Sequence, residues 1–271
     1  MIRRRVSGVI EAAAERRRLD ERTSPATKIA QRTLFLDYRK LAAAGGPLPS
    51  AWDTGFRVFS QFDEDGIALF LLAAAGDGPR RVLDLGGGNG VHASNCANLL
   101  LNLGCDGVLI DADDEKIAWG QRFYAAHPDS KERPPRLIAS FLTRENVSDV
   151  VAAAGLEGEI DLLSIDVDGN DYWLWQALDG VQPRFVVVEA HPELGRGDDV
   201  SRYDAGFKWK VAAPGTHGGA SIAALVRLGG ELGYRAVASN QYGFNVFFAR
   251  EDVASAVPPV SLDALYARAG I

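Results

Sequence analysis

Residues 82–90 read VLDLGGGNG, an apolar run that reaches Asp84 and passes almost at once into Gly86, Gly87, Gly88 and Gly90. Val and Leu ahead of clustered glycines predict a buried strand ending in a sharp turn, because glycine has no Cβ and accepts positive φ. Such a turn lets the backbone come close to a ligand at the end of a strand. Its spacing also excludes something. A G-x-G-x-x-G dinucleotide fingerprint counted from Gly86 would need glycine at Val91, and counted from Gly88 it would need glycine at Ala93, so neither register fits.

On either side of this turn, short apolar runs alternate with helical stretches. The segments RRVLDLG, GVLIDAD, PRLIASF, IDLLSIDVD and RFVVVEAH predict five strands linked by crossover helices, the pattern of a parallel sheet. The last two are nearly continuous in Val, Ile and Leu, as expected of strands covered on both faces. Further on, YRAVASN and NVFFAR are joined by the short link QYGF and predict an antiparallel hairpin. The expected fold is therefore α/β and Rossmann-like, a mostly parallel seven-stranded sheet with a C-terminal antiparallel hairpin.

Residues 1–54 read as a helical, basic N-terminal extension with a Gly- and Pro-rich linker, and residues 55–271 as the main domain. The first 40 residues carry a charge of +6 in a chain whose net charge is −7. Such an arm could be a solvated helical extension, cap the domain, pair two copies of the chain or touch an acidic surface. A chain of 271 residues, 47% hydrophobic, can bury one large core. The negative balance argues against a nucleic-acid partner and favours a small molecule. Cys96 and Cys105 form neither a disulfide framework nor a zinc cluster and read as reduced thiols. No apolar run is long enough to span a bilayer, and the N-terminus lacks the apolar core of a signal peptide, so a cytoplasmic protein without stable membrane insertion is expected.

The order acidic-x-Gly-x-Gly-x-Gly, from Asp84 through Gly90, resembles the first motif of class I methyltransferases. In that family the loop lies against the methionine and ribose of S-adenosylmethionine. A carboxylate at the end of the next strand then accepts bonds from the ribose hydroxyls, and GVLIDAD offers Asp111, followed by Ala112, with Asp113 as the alternative. The third strand places Ser140 and Phe141 where this fold contacts adenine, although Phe141 could equally belong to the core. Together, SQFDEDG (60–66), DLGGGNG (84–90), DLLSIDVDGNDYWLWQAL (161–178), VVVEAHPELG (186–195), GGAS (218–221) and YGFNVFFAR (242–250) resemble the FkbM-type methyltransferases over roughly residues 58–250. The resemblance implies a class I methyltransferase fold, S-adenosylmethionine as cofactor, and O-methylation of a hydroxyl on a sugar or natural product. It also implies that Gln61, Glu64 and Asp65 lie near the methionine end, where the two acids could instead serve a helix's first turn. N-methylation of a small acceptor, a non-catalytic cofactor-binding module and an NAD-linked oxidoreductase are the competing readings.

Ligands sit outside the carboxyl ends of strands in open parallel sheets, which weights Asp166, Asp168, Glu189 and His191 as the catalytic edge. His191 suits a general base, with Asp166 and Glu189 beside it, or it could merely pair with a neighbouring acid before Pro192. Asp166, Asp168 and Glu189 also resemble the positions that hold a divalent ion in metal-dependent small-molecule O-methyltransferases. Ala190 departs from that pattern by replacing a second acid. His191 in its place would shift the preferred ion from magnesium towards manganese. Asn170 or Asp171 is expected to cap the helix DYWLWQAL, with Trp173 walling the acceptor site and at least one of the aromatics Tyr172, Trp173 and Trp175 in the core. The long segment 192–218 reads as a lid, with Tyr203, Lys208, Trp209 and His217 as acceptor contacts.

Overall fold

The computed structural model describes residues 14–207 and 218–271. The strand expected at residues 82–85 is β1 (Arg81–Leu85), followed by β2 (Asp106–Asp111), β3 (Arg136–Ala139), β4 (Gly158–Ile165) and β5 (Val181–Glu189). The hairpin is β6 (Tyr234–Ser239) and β7 (Asn245–Arg250). The sheet runs β3-β2-β1-β4-β5-β7-β6, with β1 to β5 parallel and β7 antiparallel to both of its neighbours. It is the α/β, Rossmann-like, seven-stranded arrangement expected from the alternation of apolar runs. A doubly wound dinucleotide sheet ends 4-5-6, so the antiparallel strand between β5 and β6 sets this topology apart.

The period-2 alternation of the strands divides the interior into two cores. Leu83, Leu85, Val108, Ile110, Val186 and Val188 face one side, where α6 (Val147–Ala153), α7 (Asp171–Ala177), α8 (Ile222–Glu231) and α9 (Leu262–Ala269) pack. Val82, Leu109, Leu162, Phe185 and Val187 face the other, against α3 (Glu64–Ala74), α4 (Ala97–Leu101) and α5 (Asp114–Ala126). Trp175 lies in the first core, in contact with Phe248. No helix among the described residues is long and apolar enough to cross a membrane.

The basic arm lies on the domain. Helix α1, described over 14–22, buries Leu19, and α2 (Pro25–Ala43) runs against α3. The attachment combines apolar packing, with Leu19, Phe35 and Tyr38 against the core, and buried amides, since Asn98 Nδ2 donates to Gln31 Oε1 at 2.7 Å and Asn102 Nδ2 donates to the Arg22 carbonyl at 3.1 Å. All three amide side chains are buried, so these amide bonds are shielded from competing water.

Candidate functional site

The chain leaves β1 outward towards β2 and β3, then crosses back to β4, and the loops at the carboxyl ends of β1 and β4 separate there. A cleft of about 320 Å³ opens at that point. Of the residues singled out from the sequence, Gln61, Asp84, Gly86, Gly87, Gly88, Asp111, Ala112, Ser140, Phe141, Asp166 and Asp168 line it. His92, Ala93, Ser94, Asn95, Lys116, Asn170 and Phe207 line it too and were not anticipated. The run from His92 to Asn95 directly continues the glycine turn, and Lys116 sits in the first turn of α5, so proximity in sequence was the available signal.

The glycine turn is shaped by its neighbours. Gly86 has φ +88°, and a Cβ there would lie 1.7 Å from the Asp166 carbonyl oxygen. Above Gly88, by contrast, a Cβ would meet only the Lys116 side chain at 3.8 Å, which leaves this stretch of backbone open to a ligand. Gly90 does not reach the cleft as expected. Its Cβ position is taken by Leu109, 2.5 Å away, so its role is close packing behind the turn.

Asp111 ties β2 to the turn, accepting the Gly88 amide at Oδ2 and the Asp113 amide at Oδ1, both at 2.8 Å. Asp113 caps α5 by accepting the amides of Glu115 and Lys116, each at 3.0 Å, and lies outside the cleft lining. Phe141, at 37% exposure, is a cleft wall rather than core.

Asp65 corrects the sequence reading. It lies outside the cleft lining, fully buried, and its Oδ2 accepts the amides of Val58, Phe59 and Ser60 at 2.6–2.9 Å together with the Ser60 hydroxyl at 2.9 Å. Its carboxylate shapes the segment that carries Gln61. Glu64 is likewise structural, accepting Asn240 and Asn245 side-chain amides from the hairpin at 2.8 and 3.0 Å.

Asp84 is buried at the cleft floor, where Ser94 Oγ donates to it at 3.1 Å. Burial pushes its carboxyl up to about 6, outweighing the hydroxyls of Ser164 and Ser94. A carboxyl raised in the folded state contributes stability that is complete below its unfolded pKa, near 4, and is lost as pH rises through about 6. Asp84→Asn should therefore gain on the unmutated chain by about 2.4 kcal/mol between pH 4 and pH 7.5, read from denaturant unfolding at both pH values. A stability difference that does not change with pH would count against a buried, high-pKa carboxyl here.

At the end of β4 the backbone turns through Asp168 at φ +57°, a conformation that a non-glycine residue adopts at a cost. Asp171 sustains this turn, its carboxylate accepting the Val167 amide at 2.8 Å and the Gly169 amide at 2.9 Å. Neither Asn170 nor Asp171 makes the expected side-chain cap of α7, because Asp171 is directed back at this loop. Asp166, Asp171 and Glu189 crowd together; burial raises all three carboxyls, and neighbouring carboxylates, Asp171 at Asp166 and both of these at Glu189, raise those two further. Oxygens of Asp166, Asp168 and Glu189 can lie within 4.8 Å of one another, and so can ligand atoms of Asp171, Glu189 and His191.

Glu189 and His191 stand outside the cleft lining. The imidazole is buried, its Nδ1 2.8 Å from Glu193 Oε1 and its Nε2 3.8 Å from Glu189 Oε2. Backbone covers it, since a Cβ on Gly219 would fall 1.9 Å from the ring. Trp173 and Tyr203 also miss the cleft lining. The Trp173 indole donates to the Ser201 carbonyl at 2.9 Å, Tyr203 bonds Glu145, and Arg144 sits over both rings. These bonds fasten the start of the 192–218 segment to α7 and to the loop before α6. Lys208, Trp209 and His217 lie outside the described residues.

No known family model matches the chain, and no curated protein matches it in sequence. Solved structures do resemble it. The N-terminal domain of EvdMO1 with S-adenosylhomocysteine bound is 14% identical, with 79% of this chain and 95% of that one covered and a TM-score of 0.46. The glycopeptide N-methyltransferase MtfA complexed with S-adenosylhomocysteine is 13% identical over 72% of this chain and 92% of its own, at TM-score 0.43. Magnesium protoporphyrin IX methyltransferase from Synechocystis PCC 6803 is 15% identical over 69% and 81%, also at 0.43. At such scores the likeness carries no functional argument.

Proposed function

We propose that this chain is an S-adenosylmethionine-dependent methyltransferase acting on a small molecule, by preference at a hydroxyl of a sugar or natural product. One observation carries the reading: a glycine turn open above Gly88 meets the carboxylate of Asp111 at the switch point of the sheet. The residues fit the cofactor. Asp111 keeps a lone pair on each oxygen for a ribose diol, Gly86 to Gly88 offer backbone to the methionine part, and Ser140 and Phe141 offer a polar edge and a ring to the adenine. When bound, the cofactor supplies a methyl group on a sulfonium, which is an electrophile with its leaving group already in place. What the protein must add is alignment of the acceptor and a destination for its proton.

Asp166 is the catalytic acid–base candidate that lines the cleft, and its raised carboxyl holds a proton more readily than an ordinary aspartate. Glu189 and His191 act through it, as positioning residues behind the wall. Asp168 is the exposed acid on the acceptor side.

The ribose assignment sets the test. Asp111→Ala should weaken S-adenosylhomocysteine binding by about a hundredfold or more, since each bond to a charged acceptor is worth roughly 1.5–3 kcal/mol. Asp113→Ala should leave binding close to that of the unmutated chain, and NAD should give no thermal shift. Unchanged affinity in Asp111→Ala, by titration calorimetry, would overturn the site.

A second reading has its own observation, the convergence of Asp166, Asp168 and Glu189 oxygens. These three acids would hold a magnesium or manganese ion, which would offset their repulsion and lower the pKa of an acceptor hydroxyl. Turnover abolished by a chelator and restored by Mn²⁺ would establish this reading, and turnover indifferent to the chelator would remove it.

A further inference from the structure

Outside the cleft, α1 and the segment before Gln61 border an open surface hollow of about 360 Å³ lined by Arg18, Glu21, Arg22, Thr27, Arg57 and Val58. Three arginines line it. No ion pair engages Arg18, Arg22 or Arg57 among the described residues, whereas Glu21, the acid of the lining, is paired with Arg17 at 3.2 Å. Arg22 is half-buried, with its guanidinium 5.5 Å from the Phe59 ring centroid. Burial and the charges of Arg57 and Arg18 all oppose its protonated form. The acid that favours it is Asp65, whose Oδ2 already accepts four hydrogen bonds. Among the described residues the hollow therefore holds three like charges against one lining acid, Glu21, which is already paired, so positive charge is in excess there.

The hollow neighbours the cleft through shared residues, with the Glu15 carboxylate 2.7 Å from His92 Nε2 between them. Arg18 and Arg22 also line a neighbouring space of about 310 Å³ together with His92, and His92 lines the cleft itself. Arg57 donates to the Ser60 carbonyl at 3.1 Å, and Ser60 forms a parallel bridge with Ala93, another cleft residue.

We propose that Arg18, Arg22 and Arg57 bind a phosphate-class oxyanion belonging to the methyl acceptor, beside the cleft in which methyl transfer takes place. The assignment to the acceptor rests on the methyltransferase reading above. The amino-acid end of S-adenosylmethionine carries its own ammonium beside its carboxylate and so brings no net negative charge for three arginines. A phosphate ester carries about −1.5 to −2 at neutral pH and presents oxygens that planar guanidinium forks match in pairs.

Inorganic pyrophosphate is the probe, titrated by calorimetry into the full chain alone and into the chain saturated with S-adenosylhomocysteine. Equal affinity in both titrations is expected. Arg18→Gln and Arg57→Gln should each weaken pyrophosphate binding about tenfold and leave S-adenosylhomocysteine affinity unchanged. Both side chains are exposed, so these variants keep the fold. Arg22→Lys, which keeps the charge and loses the fork, should fall between them and the unmutated chain. No binding to the unmutated chain, or equal binding to the Arg18→Gln, Arg57→Gln double variant, overturns the site. Competition between the two ligands overturns the acceptor assignment by giving the hollow to the cofactor. Pyrophosphate binding without S-adenosylhomocysteine binding would uphold the anion site and sink the methyltransferase reading separately.

Discussion

Gly86→Ala is expected to destabilise the chain by about 4 kcal/mol or more, a loss on the order of 8–16 °C in Tm for a chain of this size. The added methyl has nowhere to go. Its nearest neighbour, at 1.7 Å, is the Asp166 carbonyl oxygen, and a backbone atom cannot rotate away as a side chain can. The surrounding backbone is pinned by hydrogen bonds from the Gly86 amide to the Ile110 carbonyl at 2.8 Å and from the Asp166 amide to the Leu85 carbonyl at 2.9 Å. Relief would require β1 and β4 to part where the cleft begins, and the φ of +88° adds strain of its own. Gly88→Ala is the control, with φ +58° but open space, and should cost only about 1 kcal/mol while weakening ligand binding. Denaturant unfolding of both variants checks this, and a Gly86→Ala protein within 1 kcal/mol of the unmutated chain would disprove the tight β1–β4 junction.

Asp65→Ala should be comparably damaging, at about 3–5 kcal/mol. It strips the acceptor from three amides, those of Phe59 and Ser60 buried and that of Val58 partly so, each buried one costing roughly 1–3 kcal/mol when left unmatched, and the relief of removing a buried carboxylate offsets part of that sum. Asp65→Asn retains one oxygen for those amides and should fall between the two. Because Asp65 holds the segment leading to Gln61, amide exchange at Val58, Phe59 and Ser60 should rise in Asp65→Ala well before global unfolding. Protection unchanged at these three amides would show that the carboxylate is dispensable to the segment.

Apolar runs made the sheet legible, since every strand but the exposed edge strand β3 is buried at half or more of its positions. Asp111 was legible for a related reason: the end of a parallel strand fixes where its last side chain can go. Helix α9 was missed although its signals are present, with Ser261 accepting the Ala264 amide at the start and Gly270 left-handed at the end. Asp65 could not be told from a first-turn helix acid, because its amide partners lie in an irregular segment whose curvature has no sequence period. His191 sits at a strand end as expected, yet the chain near Gly219, far along the sequence, returns to cover it. Gly90 resembled its neighbours in composition, and only the packing of Leu109 distinguishes a glycine that leaves room for a ligand from one that leaves room for a side chain.

The placement of β7 also has a consequence for the order in which the chain is made. β7 pairs with β5 although β6 is synthesised between them. On the ribosome, the Val-rich edge at Phe185–Val188 therefore stays without its partner until residues 245–250 have emerged. An apolar strand edge left waiting in this way can recruit another chain. A chain truncated after β6 should accordingly be more prone to aggregate than the full chain.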